Sequence, residues 1–132
     1  MLSWILREEP ASLMKEILDQ AEFVVASDLT LVECDRALIK AEAAGQLSQL
    51  EAGERRELLE ATSSRWTLLK LGGEILDRAR RRFPLEPIRA LDSLHLATAL
   101  LARAAFSEIA LLSLDQRIRD NGAAFGFEIL PG

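Results

Sequence analysis

Only one cysteine, Cys34, and one histidine, His95, occur among the 132 residues. One cysteine cannot close an internal disulfide, and this pair is too small a set for a zinc site. Cys34 therefore reads as a small core residue in a reducing setting. Long apolar runs are absent as well. The longest, from Leu94 to Ala102, is interrupted by His95 and Thr98 and falls well short of the ~20 residues needed to span a bilayer. The first ten residues, MLSWILREEP, lack the basic start, apolar run and cleavage site of a secretory signal. These absences predict a cytoplasmic protein with no membrane association. No repeat, low-complexity tract or linker is visible, and the length suits a single domain over residues 1–132. With 49% hydrophobic and 28% charged residues, the balance is that of a globular chain.

Charge is short on the positive side. The net charge is −5, which makes the chain a poor indiscriminate binder of nucleic acid. The deficit is uneven. Residues 1–64 carry 6 basic and 13 acidic side chains, and residues 65–132 carry 10 basic and 8 acidic. Any polyanionic partner has to be met locally.

Helical periodicity alternates with short β-rich runs, a pattern that predicts an α/β domain with a mostly parallel sheet. The run EFVVAS (22–27) reads as a strand, followed by a helix from Asp28, a candidate N-cap, to Ala44, where Gly45 ends it. A second, amphipathic helix spans Ser48 to Ser63. WTLLKL (66–71) reads as a strand, and Gly72-Gly73 leads into a helix through about Phe83, closed by Pro84 and Pro87. The helix predicted from Asp92 to Ala104 is apolar on almost every side and belongs inside the fold. IALLS (109–113), a helix over 115–124 and FEIL (127–130) complete the chain.

Three carboxylates stand out. Glu33 sits at the border of the apolar stripe formed by Leu31, Cys34, Ala37, Leu38 and Ala41, where it can either reach inward or pair with Lys40 or Arg36 in solvent. Asp92 opens the most apolar helix, where a negative charge is favoured as a cap and a metal can share the carboxylate. His95 shares its face, and a lone histidine is most often a structural group. Asp115 follows a strand directly, at the sheet edge where ligands bind in open α/β folds, with Ser113 as a competing helix cap. Arg78, Arg80, Arg81 and Arg82 form either a solvated helix face or a phosphate contact. Trp4 and Trp66 stand outside any basic or aromatic pattern and read as packing residues.

The three acidic contexts together resemble the PIN-domain proteins of the VapC toxin type. IRALDSLHLATALL (88–101) is similar to the stretch holding that family's third acidic residue, and it is the most specific part of the resemblance. VVASDLTLVECDRAL (24–38) resembles the segment presenting the second, and LLSLDQRIRDNGAAFGFEILP (111–131) the segment presenting the fourth. The resemblance implies a three-layer fold with a parallel sheet flanked by helices. It implies that Glu33, Asp92 and Asp115 hold Mg²⁺ or Mn²⁺, supported by His95 and Ser113, for cutting structured RNA. Such ions prefer oxygen ligands and can activate water for attack on a phosphodiester. A neutralising VapB-like antitoxin is the implied partner, and a homodimer is compatible with the family. PIN domains ordinarily begin with a central strand and an Asp-Thr-Ser-like turn carrying the first metal ligand. Here Met1-Leu2-Ser3-Trp4 looks like the helix after that turn, so a segment of roughly seven residues is expected to be missing. That departure has two readings: a translation start upstream of Met1, which is preferred, or a degenerate relative, a catalytically impaired module that binds an antitoxin or RNA without cutting it.

Overall fold

A computed structural model describes residues 11–132. The helix expected over Met1 to about Arg7, together with Trp4, lies outside the described residues. The structure is mixed α/β, with six helices and four short strands among the described residues. It divides into two compact units, one running up to Leu68 and the other covering Leu69–Gly132.

In the first unit, helix α1 (Ala11–Gln20) precedes strand β1 (Val25–Ser27) and helix α2 (Asp28–Ala43). Serine at the β1–α2 junction takes the cap position without a side-chain bond, and Asp28 is the first helical residue rather than the cap expected from sequence. The difference matters little energetically, because an acid in the first turn still meets the positive end of the helix. Gly45, at φ 77°, supplies the left-handed residue that stops α2. Helix α3 (Gln49–Ser63) starts with a capping box in which the Ser48 hydroxyl accepts from the Glu51 N–H at 3.0 Å and the Glu51 carboxylate accepts from the Ser48 N–H at 3.1 Å. α2 packs on α3. Met14, Cys34, Leu38, Ala41, Ala52 and Leu59 are buried. Strand β2 (Thr67–Leu69) pairs with β1, with the Thr67 N–H donating to the Val24 carbonyl at 2.8 Å.

The second unit begins with helix α4 (Gly73–Ala79), shorter than the helix to Phe83 that the sequence suggested. Three consecutive arginines and Pro84 follow, and the chain turns there because Glu86 captures it. Its carboxylate accepts from the Phe83 N–H at 2.8 Å and from the Ile88 N–H at 3.0 Å. Helix α5 (Ala90–Ala105) packs against α4 and against α6 (Gln116–Ala124). Leu96 is fully buried in a cluster with Phe83 and Ile118. The helix is less enclosed than its composition suggested, since Leu91 is 48% exposed and Leu94, Leu100 and Leu101 are half-buried. Strands β3 (Leu111–Leu112) and β4 (Ile129–Leu130) pair in parallel, Leu111 with Ile129 and Leu112 with Leu130. Each sheet among the described residues is two-stranded, so the predicted strands survive as cores two or three residues long. Gly122 of α6 lets the helix lie close to that sheet: a Cβ there would lie 2.9 Å from Ile129 Cδ1 and closer still to Leu111 Cδ2, so those two side-chain ends would have to move aside.

Candidate functional site

Glu33 lies on α2 in the first unit, half-buried. Its charge acts on the neighbouring Cys34 thiol, whose pKa is pushed up to about 11, first by burial and further by the Glu33 and Asp35 carboxylates. Cys34 is thus the core residue the sequence suggested, fully buried and protonated at neutral pH.

Asp92 and Asp115 lie in the second unit. Asp92 is not at the cap position but one turn inside, as the third residue of α5, where its Oδ2 accepts from the Arg89 N–H at 3.1 Å. The carboxylate thereby satisfies one of the N–H groups left open at a helix start. It is 7% exposed. Among the described residues no lysine or arginine forms an ion pair with it. His95, one turn further along, is half-buried and engaged with other groups. Ser93 and Thr98 turn their hydroxyls back onto the helix, to the Ala90 and Leu94 carbonyls at 2.6 and 2.7 Å.

Asp115 is the cap of α6, as expected. A single oxygen, Oδ1, accepts from the Arg117 N–H at 2.9 Å and the Ile118 N–H at 3.3 Å. Ser113 does not compete for the cap. Its hydroxyl instead accepts from the Asp115 N–H at 3.1 Å and fixes the turn. Arg119 ties this edge together, donating to the carbonyls of Ser113, Leu130 and Pro131 at 2.7, 3.2 and 2.7 Å. Asp115 is exposed and stands just past the end of β3, the edge that suits a ligand in a parallel sheet.

The four arginines singled out from the sequence separate into two kinds. Arg78 is half-buried, its guanidinium 4.3 Å from the centroid of Phe83 and 5.6 Å from that of Phe125, with Nη2 donating to the Arg82 carbonyl at 3.3 Å. It holds the loop to the core by cation–π attraction. Arg80, Arg81 and Arg82 are exposed and line an open cleft of about 510 Å³, joined by Arg89 from the start of α5. Periodicity could not have found Arg89, because the nine loop residues 80–88 lie between the end of α4 and it. Nor could it have found Asn121, whose amide clamps the Leu85 backbone: Oδ1 accepts from the Leu85 N–H at 2.9 Å and Nδ2 donates to the Leu85 carbonyl at 3.0 Å.

A family model described as PIN domain matches residues 1–123. The chain belongs to the PIN-domain family. A comparison with curated proteins gives no match. PIN domains are generally nucleases and typically depend on divalent metal. In this PIN domain the donors at hand are carboxylate oxygens, the chemistry that suits a hard divalent cation. Among the described residues, however, no group of three or more histidine, cysteine, aspartate or glutamate side chains is gathered so as to hold a metal ion. No helix of the described residues is long and apolar enough to cross a membrane.

Proposed function

We propose that this PIN-domain protein is a Mg²⁺- or Mn²⁺-dependent endoribonuclease of the VapC toxin type, held in check by a VapB-like antitoxin in the cytoplasm. Asp92 and Asp115, both in the second unit, are the carboxylates assigned to metal binding, with His95 and Ser113 supporting them, and Glu33 of the first unit is the further carboxylate that the family resemblance assigns to that chemistry. The observation that carries the reading is Asp92: a carboxylate 7% exposed, with a single backbone N–H bonded to it and no cationic side chain of the described residues paired with it. Burying a carboxylate is costly unless it is paired or coordinates a metal. Its place at the start of a long helix offsets part of that cost. The family's nuclease chemistry gives the metal a use, since a bound cation activates water and stabilises the departing oxygen of a phosphodiester.

The test is cleavage of a labelled structured RNA with Mn²⁺, with Mg²⁺ and with chelator, using the wild type and Asp92→Asn. Asparagine can still accept from the Arg89 N–H, so the fold is kept while the anionic ligand is removed. Cleavage that needs the metal and disappears in Asp92→Asn is the expected result. RNA that is retained but stays intact under every condition overturns the nuclease reading in favour of a binding module.

A further inference from the structure

We infer that the cleft lined by Arg80, Arg81, Arg82 and Arg89 is the track for the phosphate backbone of a single-stranded stretch, such as a loop of a structured RNA, and that Arg78 has no part in it. This rests on the nuclease reading only for the choice of RNA as occupant.

The electrostatics of the cleft are unlike those of the rest of the chain. Four arginines line about 510 Å³ of open space in a protein whose net charge is −5. The only acidic lining residue is Glu86, and both of its oxygens are committed to backbone N–H groups of its own loop. Among the described residues none of the four arginines is in an ion pair. Like charges lining one cleft repel one another, and an arriving polyanion relieves that repulsion. Arginine also suits a phosphate better than lysine would, because its planar fork donates two parallel bonds.

The loop is built to keep this shape. Glu86 fixes it from within, Asn121 grips Leu85 from α6, and Arg78 stacks on Phe83 beneath it. A cleft held by three separate devices costs little ordering entropy when it binds. Position favours a strand over a compact anion. Arg80 to Arg82 follow α4, Arg89 and Ser93 flank the start of α5, and Arg89 is the residue whose N–H holds Asp92. A backbone laid along the arginines is thereby delivered to the turn of helix that carries the buried carboxylate.

The test is fluorescence anisotropy of a labelled single-stranded RNA against the full chain in chelator, so that no cleavage intervenes, over a series of salt concentrations. Wild type is compared with Arg81→Ala/Arg82→Ala, Arg89→Ala, and Arg65→Ala as an exposed control in the first unit. Each lost phosphate contact should make the dependence of log affinity on log salt shallower by about 0.7, and the double variant by about 1.4. The loss should be uniform across RNA sequences, because phosphates carry no base information. Arg65→Ala should leave the slope unchanged, and thermal melts confirm that each variant is folded. Unchanged slopes in folded cleft variants overturn the track, even if metal-dependent cleavage persists. Shallower slopes without any cleavage retain the track and reject the nuclease. Binding of an acidic peptide at the same arginines, with no binding of RNA, overturns the assignment in favour of a protein partner.

Discussion

The two units differ in the reach of the side-chain hydrogen bonds described in them, although in the first an exposed ion pair also crosses from α2 to α3, Asp35 Oδ1 with Arg56 Nε at 3.8 Å. In the first, the ones described among its residues are local: Lys15 with Asp19, Gln20 with Glu16, the Ser48–Glu51 box, and Ser63 and Ser64 with the turn before them. In the second, Asn121 reaches 36 residues back to Leu85, Arg103 reaches 22 residues forward to the Phe125 carbonyl, and Arg119 reaches 11 and 12 residues forward to Leu130 and Pro131. Local bonds stabilise a helix that already exists, whereas distant ones fix where loops lie. The arginine cleft and both candidate carboxylates of the second unit are loop-borne or lie at helix starts. The long-range clamps of the second unit equip it to hold a shaped surface.

The largest expected effect attacks the second unit at its centre. Leu96 is fully exchanged out of water between Phe83 and Ile118, so Leu96→Ala should cost about 2–5 kcal/mol in urea melts. Hydrogen exchange sharpens the comparison: protection should fall in α4 and α6 as well as α5, because both pack on it. A response confined to α5 would show that distant contacts do not hold this unit.

The next prediction concerns the first unit and its buried thiol. Cys34 moves from an ordinary value of 9.0 to about 11 on folding. Below pH 9 both states keep the proton and the thiol contributes no pH dependence. Between pH 9 and 11 the unfolded chain loses its proton while the folded chain keeps it, so stability falls as pH rises, by roughly 2–3 kcal/mol in all. Cys34→Ala should flatten that part of the profile. Alkylation of the native protein at pH 8 should be slow, and rapid labelling would show that α2 opens readily.

Next in size is Asn121→Ala, which leaves the Leu85 N–H and carbonyl without their partner and should cost about 1–3 kcal/mol. The Leu85 amide should exchange faster, and the salt slope for RNA should flatten even though no arginine has changed. A loss of stability with an unaltered salt slope would mean that the clamp supports the core but not the cleft.

The same contrast explains what was legible in the sequence. Helix ends set by neighbours could be read directly: Gly45 stops α2, Ser48 starts α3, and Asp115 caps α6. The sequence places Asp92 at the opening of its helix as a cap, whereas it is the third residue, because Arg89 is an unusual residue to stand at a cap. Strands were located and their lengths overstated, since apolar β-branched runs such as VVAS continue past the residues that find a ladder partner. Arg78 and Arg82 are indistinguishable in sequence, yet one stacks on aromatic rings and the other lines open space. Arg89, Arg119 and Asn121 gave no periodic signal because their partners lie in other segments. Asp92 and Asp115 were identifiable from context, while the loop that accompanies Asp92 was not.

The smallest effect tests the local side of the comparison. Ser48→Ala removes the hydroxyl that accepts from the Glu51 N–H and should cost about 1 kcal/mol, with fraying limited to the first turn of α3. Glu51 gives the same box a pH signature. Its carboxylate is held below the usual range, first by the Ser48 backbone N–H and then by the Ser48 side chain. A depressed folded pKa means that the stabilisation is complete above the ordinary glutamate range and is lost as pH falls through the lowered value. Glu51→Gln keeps an acceptor for the Ser48 N–H but cannot titrate, so it should remove this acid-side slope while preserving most of the cap. The measurement is hydrogen exchange of the α3 first turn across the acidic range, compared with the Leu85 amide in the second unit. Only the α3 amides should track Glu51, because the Ser48–Glu51 bonds close within a single turn. If Leu85 responds to Ser48→Ala as strongly as α3 does, the bonds of the first unit are not local in their effect, and the distinction between the two units fails.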